Sequence, residues 1–382
     1  MTAVHQLLPT FAGRDAIGTH CLHAQRLLRD AGFESEIFAR EILPDVRHLA
    51  RDASRFRSDN DTWALYHFSI GDPLVTDVVA SGVPLAIDYH NITPARFFRR
   101  WEPRVAELLD DGRRRLADLA TPTRFALADS TYNAEELSEL GFGPTAVAPV
   151  LVDLAGFAVE PDRTVLEQRR TGKAGADWLA VGRLAPNKCQ HDIIAAFAVY
   201  RAAFDPGARL VLVGGRSAPQ YSASLARLSR RLGVESAVTF ADSVSHTELV
   251  AHYRSADVFV SLSEHEGFNV PVVEAMALGL PVVAYATTAV PETVGRSGVL
   301  LDDKDPLVVA ATVDTVLRDT DARDTLVAAG RARAAELALE RTGPTFLAAI
   351  EAGLDAAARP AAAAWPSSPP ATAPTSSVAR RR

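Results

Sequence analysis

Short β-rich runs alternate with longer helical patterns in two successive series, and this alternation restricts the fold more than any other feature of the chain. VHQLL (4–8), ESEIFA (34–39), WALYHF (63–68), LAIDY (85–89), FALAD (125–129) and AVAPV (146–150) read as strands. Helical spacing covers about 19–31, 73–80, 95–119 and 132–140, with Gly32 and Gly141 placed as stops and Ser130 as a cap. Strands separated by helices imply βαβ units and a parallel sheet covered on both faces. After an irregular polar stretch at 153–170 the pattern restarts. WLAVG (178–182), RLVLVG (209–214), AVTF (237–240), VFVSLS (258–263), PVVAY (281–285) and GVLL (298–301) read as strands. Helices are expected near 190–203, 221–232, 246–255, 271–278, 306–318, 321–340 and 344–358.

The fold class expected is therefore α/β, with two Rossmann-like doubly wound parallel-sheet domains facing across a cleft. The division expected is 1–152 for the N-terminal domain and 153–340 for the C-terminal domain. Residues 341–358 are read as a helix packing back on the first domain. Residues 359–382 are Pro-, Ala- and Ser-rich with almost nothing to bury, and are read as disordered. With 382 residues and 48% apolar content, two cores can be filled. The net charge of −7 excludes a surface built to wrap nucleic acid. Cys21 and Cys189 are too few for a disulfide framework and fit a reducing compartment. No apolar run approaches the roughly 18 residues of a membrane span, and the first residues lack a signal-peptide pattern. A soluble, cytoplasmic protein is expected.

Ligands of open α/β sheets bind at the carboxyl ends of the strands, so the loops there carry the functional reading. The first, Gly13 to Gly18, is not G-x-G-x-x-G, and Thr19 stands where a phosphate-loop lysine would be. It leaves a glycine loop entering a helix, where free N–H groups can meet an anion or a sugar. The segment VGRLAPNK puts Arg183 and Lys188 before a helix, a pair suited to clamping a diphosphate. Further on, SEHEGFNVPVVEAMALGLPVV sets Glu266 before a helix opened by Pro271 and Glu274 within its first turns. Both carboxylates can face one ligand: one suits a ribose diol, while the helix-end N–H groups hold phosphate.

Glu266, seven intervening residues and Glu274, together with VGRLAPNK upstream, resemble the signature of retaining GT-B glycosyltransferases of the family-4 (glycosyl transferases group 1) type. The resemblance implies a nucleotide-sugar donor held mainly by the C-terminal domain. It implies that Arg183 and Lys188 bind and stabilise the leaving diphosphate, Glu274 holds the ribose, and Glu266 contacts the transferred sugar. Gly267 and Phe268 would shape that loop, the Asn269 and Val270 amides would face the diphosphate, and Val244 would lie against the base. His90, ending LAIDYH, matches the family's active-site histidine, and Gly18 its close-approach glycine. The loop departs from the family's paired glycines by having Asp15 and Ala16. No metal and no organic cofactor is implied, and the donor is read as GDP-mannose or a UDP-hexose.

The acceptor is read as a glycan, a lipid-linked molecule or a small molecule, with a role in cell-envelope polysaccharide synthesis. The segment 94–118 carries seven arginines with Phe97, Phe98 and Trp101 interleaved. It reads as a solvated helix face, as a peripheral contact with an anionic bilayer at the inner face of the membrane, or as a guide for an anionic acceptor. Two rival functions stay open on the same architecture. One is a sugar-nucleotide epimerase, needing no acceptor; the other is a catalytically silent nucleotide-sugar-binding protein.

Overall fold

The computed structural model describes residues 2–358 apart from 14, 60 and 217; the expectation for 359–382 lies outside the described residues. The first sheet contains β1 (Ala3–Phe11), β2 (Ile37–Ile42), β3 (Arg51–Asp52), β4 (Thr62–Phe68), β5 (Leu85–Tyr89), β6 (Thr123–Ala128) and β7 (Thr145–Val147). The second contains β8 (Asp177–Val181), β9 (Arg209–Val213), β10 (Val238–Ala241), β11 (Val258–Ser261), β12 (Val282–Tyr285) and β13 (Val299–Leu301). Their orders are β3-β2-β1-β4-β5-β6-β7 and β10-β9-β8-β11-β12-β13, and neighbouring strands pair in parallel. The α/β class expected from the alternation is thus the observed one.

Both sheets are buried on both faces, which is why their central strands are near-continuous apolar runs. Trp178 at the start of β8 is fully enclosed among Phe197, Tyr200 and Leu210. Tyr66, Phe68 and Ile87 do the same for one face of the first sheet. Its other face is closed by the last helix, Leu339–Ala358, whose Phe346 and Ile350 pack with Val4, Leu28 and Phe125. The chain reaches that position where Leu339 N–H donates to Val152 O at 2.9 Å, so the two interdomain crossings run side by side.

Several local expectations are corrected. The helix expected over 95–119 is a 3-10 turn, Ala95–Phe97, and a separate helix, Pro103–Leu119. Pro103 removes an N–H and pushes Glu102 to φ −141, out of helical geometry. The stretch 153–170 is not irregular throughout: Arg163–Arg170 is a helix capped by Asp162. It buries none of its residues and is held by Arg169 on Asp177, so it carries no apolar period. The last strand of the first series stops at Val147, because Pro149 has no N–H to donate. The unexpected β3 is a two-residue charged edge strand, which blunts the sheet edge. The helix expected from Thr19 starts at Ala16, and the one expected from 344 starts at Leu339 with Pro344 inside it.

Phe346 joins the last helix to the first sheet. Phe346→Ala is expected to cost about 3–5 kcal/mol of stability, measured by chemical denaturation. An unchanged midpoint would mean that this helix does not help hold the N-terminal domain together.

Candidate active site in the interdomain cleft

In each sheet the strand order reverses once, between β1 and β4 and between β8 and β11. Loops on either side of such a reversal diverge and leave a crevice at the carboxyl ends. The glycine loop leaves β1, the Arg183–Lys188 segment leaves β8, and the Glu264–Asn269 segment leaves β11. Gly18 lies in the first turn of its helix, and its amide donates to Asp15 Oδ1 at 2.6 Å. A Cβ there would meet Ala12 O at 1.8 Å, so only glycine lets the helix start this close to the strand end.

Beyond β8 the chain makes a 3-10 turn, Pro186–Lys188, and Cys189 takes a left-handed φ of 50 before the helix Gln190–Ala203. This turn projects Lys188 towards the β11 loop. Its Nζ lies 2.7 Å from both carboxylate oxygens of Glu266. Glu266 is buried, and its own backbone is pinned: its N–H donates to Thr288 Oγ1, whose hydroxyl donates to Glu266 O. Arg183 does not join Lys188. Its side chain is exposed, makes no ion pair among the described residues, and lies within electrostatic reach of Asp15.

Asn269 (φ 78) turns the chain into the helix Val270–Ala277, and its Nδ2 donates to Ser261 Oγ at 3.1 Å. One helical turn on, Glu274 accepts a hydrogen bond from Tyr253 OH at 2.6 Å. Burial raises the Glu274 carboxyl above its ordinary value, and the Tyr253 hydroxyl opposes that rise. Phe268 packs in one apolar cluster with Tyr253, and Val244 and Val270 lie against it. Val244, Tyr253, Phe268, Val270 and Glu274 therefore belong to one side of the cleft.

The two domains touch at Gly267. A Cβ there would meet Asn91 Cβ at 2.8 Å and His90 O at 3.0 Å. Beside it His265 Nε2 contacts Asn91 Oδ1 at 2.6 Å, and Asn91 Nδ2 donates to Asn133 Oδ1. At the rim Glu292 accepts from the Thr131 amide at 2.8 Å and from its hydroxyl at 3.0 Å. These contacts bring the loop that carries Glu266 against the His90–Asn91 wall of the other domain.

Behind His90 lies a buried polar chain that sequence reasoning missed. Gln6 Nε2 donates to Cys21 O, so its Oε1 takes the proton of His67 Nε2 at 2.9 Å. His67 Nδ1 is then the acceptor for His90 Nε2 at 2.9 Å, and His90 Nδ1 donates to Asp129 at 3.0 Å. His20 accepts the Leu151 amide at Nδ1 and donates from Nε2 to Asp88 at 2.9 Å. Burial pushes His67 well below the usual histidine range. Burial also opposes charge on His90, but the Asp129 and Asp88 carboxylates outweigh it and raise His90 to about 9. The signal was in the strands: WALYHF sets His67 one residue before its end, and LAIDYH and FALAD end in His90 and Asp129 after mainly apolar runs.

His20, His67, Asp88 and His90 each bring one potential metal ligand atom within 4.8 Å of the others. The hydrogen bonds count against ligation by all four. His20 Nδ1 faces an N–H donor, so its Nε2 carries the proton and cannot also offer a lone pair.

Two sheets meeting across a crevice that gathers cationic and carboxylate side chains from strand-end loops define a GT-B protein. Residues 167–333 match the family described as glycosyl transferases group 1. The chain is similar to a D-inositol 3-phosphate glycosyltransferase of Geodermatophilus obscurus, 37% identical over 222 residues, 55% of this chain and 48% of that protein. It is also similar to a GDP-mannose-dependent alpha-(1-6)-phosphatidylinositol monomannoside mannosyltransferase of Mycobacterium tuberculosis, 33% identical over 53% of this chain and 54% of that one. The chain thus spans about half the length of the curated relatives it matches. Among solved structures, sucrose-phosphate synthase from Thermosynechococcus elongatus superposes with a TM-score of 0.74 at 18% identity, covering 93% of this chain and 100% of that one. Anabaena HepE in complex with UDP-glucose superposes with a TM-score of 0.70 at 18% identity, covering 91% and 99%.

His90 titrates near 6.5 when unfolded and at about 9 when folded. Its contribution to stability is full below the unfolded value and is lost as the pH rises through the folded one. Calorimetry should therefore show the wild-type Tm falling more steeply than that of His90→Gln between about pH 7 and about pH 9.5. Parallel slopes would mean that His90 is neutral in the fold.

Proposed function

We propose that this protein is a glycosyltransferase that moves a hexose from a nucleotide-sugar donor to a hydroxyl of a glycan, lipid-linked or small-molecule acceptor. The observation that carries the reading is the meeting of Lys188 and Glu266 at the strand reversal of the segment that matches glycosyl transferases group 1, against the His90–Asn91 wall. The donor lies along the C-terminal domain, its base by Val244 and its ribose hydroxyls on Glu274. Arg183, Lys188, Gly18 and the amides at Asn269 and Val270 surround the diphosphate. Glu266, Gly267 and Phe268 face the sugar, opposite His90.

In the reaction the bond from the anomeric carbon to the diphosphate oxygen breaks, and its electron pair leaves with the phosphate. The acceptor oxygen forms the new bond, and its proton passes to the departing phosphate. Retention is the outcome implied by the family resemblance. Cations and amides aimed at the developing negative charge supply the main stabilisation. Neither a metal nor an organic cofactor enters this scheme. The donor is GDP-mannose or a UDP-hexose, and the setting is cytoplasmic synthesis of cell-envelope polysaccharide. The buried free thiols of Cys21 and Cys189 fit that setting.

Thermal shift against UDP, GDP, ADP and their sugar conjugates tests the reading, because a ligand of the native state raises Tm by mass action. One nucleotide is expected to shift Tm selectively. Glu274→Ala should weaken that nucleotide about tenfold or more, the worth of a hydrogen bond to a charged group. Lys188→Ala should lower kcat by about 10²–10³. No shift with any nucleotide at about millimolar concentration would overturn the proposal.

A further inference from the structure

Six of the seven arginines of the 94–118 segment divide into two sets once their partners are known, Arg104 belonging to neither. Arg99 pairs with Asp110, Arg114 and Arg115 with Asp111, and Arg113 with Glu136. Arg96 and Arg100 have no carboxylate partner among the described residues, and both line a pocket of about 650 Å³ between the domains. That volume falls within the roughly 300–1,000 Å³ of ligand sites. The opposite wall is the helix Pro219–Arg231, which contributes Arg227 and Arg231, likewise without a carboxylate partner among the described residues. Arg227 donates to the Ser224 hydroxyl at 2.6 Å.

Four arginines therefore line one pocket in a chain of net charge −7, beside an apolar floor that includes Phe97, Trp101, Leu225 and Leu228. Its one carboxylate, Glu264, is already held by Lys304 at 2.5 Å. Aromatic side chains stiffen the arrangement. Arg96 and Arg100 lie over the rings of Phe97 and Trp101, at 4.7 and 5.3 Å, and Trp101 meets Tyr221 edge-on across the cleft. The pocket is also next to the proposed reaction centre. Pro186 and Glu264 line it, two residues from Lys188 and Glu266 respectively, and burial first, then Arg113 and then Arg96, hold the His265 ring neutral.

We propose that this pocket binds a phosphate group carried by the acceptor, so that the acceptor is a phosphate ester. The inference rests on the transfer reading for the word acceptor, but not for the anion site itself. Planar guanidinium forks from both walls match phosphate oxygens. A dianion would relieve the repulsion among the four charges and draw the two walls together. The phosphate is either that of a soluble sugar or polyol ester or that of a lipid headgroup, and both present the same oxygens to the arginines.

The test uses the full chain with any nucleotide that binds it present at saturation, so that the Lys188 region is filled. Calorimetric titration compares glucose 6-phosphate and glycerol 3-phosphate with glucose and glycerol. Co-sedimentation compares vesicles of phosphatidylcholine with and without phosphatidylinositol. Two exposed double substitutions, Arg96→Gln with Arg100→Gln and Arg227→Gln with Arg231→Gln, each serve as probes. Expected is binding of a phosphate-bearing probe, weakened about tenfold or more by each pair and by salt, with neutral probes not bound. Soluble esters alone or phosphatidylinositol vesicles alone would identify the source. Absence of binding to every phosphate probe, or binding that both double variants retain, overturns the proposal. Unchanged nucleotide-induced thermal shifts in the variants show that the donor side is intact. Failure of all nucleotides to bind the wild type would instead sink the transfer reading and leave the anion result standing.

Discussion

Parallel pairing is the constraint from which the site follows. Strands that all run the same way place every strand-to-helix loop at one end of the sheet, and each return must cross a helix. Two such sheets in one chain, β1–β7 and β8–β13, supply two sets of loops. The order reversals then decide which loops matter, because only there do neighbouring crossovers leave on opposite faces. The glycine loop, the Arg183–Lys188 turn and the Glu264–Asn269 loop occupy those places without any further device. Cores as dry as those around Trp178 and Phe346 keep the strand ends fixed while the loops carry charge.

Much of this was legible because apolar runs and glycine stops report parallel strands directly. The Glu266 and Lys188 loops were legible as well, since both stand between a strand and a helix in the sequence. What escaped was polar and non-local. Gln6, His67, Asp88 and Asp129 each belong to, or directly follow, different strands, and only the pairing of β1 with β4, β4 with β5 and β5 with β6 makes them neighbours. No periodicity reports that. Helix boundaries failed for a different reason: side-chain caps such as Asp15 and Asp162, and prolines at 103 and 344, act within one turn and override spacing. In the arginine segment the i,i+3 and i,i+4 pairs on Asp111 were legible as a solvated helix face, whereas the reach of Arg99 to Asp110 and of Arg113 to Glu136 was not.

The contact between the domains is narrow and polar at its centre. Gly267 meets His90 O and Asn91, His265 meets Asn91, and Glu292 caps the start of the helix Thr131–Glu139. Beside that polar set Trp101 packs on Tyr221 and Ala185 joins the core of the first sheet, so opening of the cleft breaks a few hydrogen bonds and also separates apolar side chains. Asn91 is held at a φ of 67, and its amide group is committed on both atoms. That commitment places the His90 carbonyl against the Glu266 loop rather than leaving it to the mobility of a surface turn.

Around Glu266 and His90 most charges are arranged in balanced pairs among the described residues. Glu266 satisfies Lys188, Asp129 and Asp88 satisfy His90, and Asp192 with Glu264 satisfies Lys304. Arg183 is left exposed beside the glycine loop. An entering diphosphate would therefore meet Arg183 first, at little cost in desolvation, and would then compete with Glu266 for Lys188. The competition has a chemical consequence under the transfer reading. Glu266, once displaced from the lysine, is a buried carboxylate in need of donors, and sugar hydroxyls can supply them. Under that reading, binding of the leaving group and orientation of the sugar would be coupled through a single ion pair.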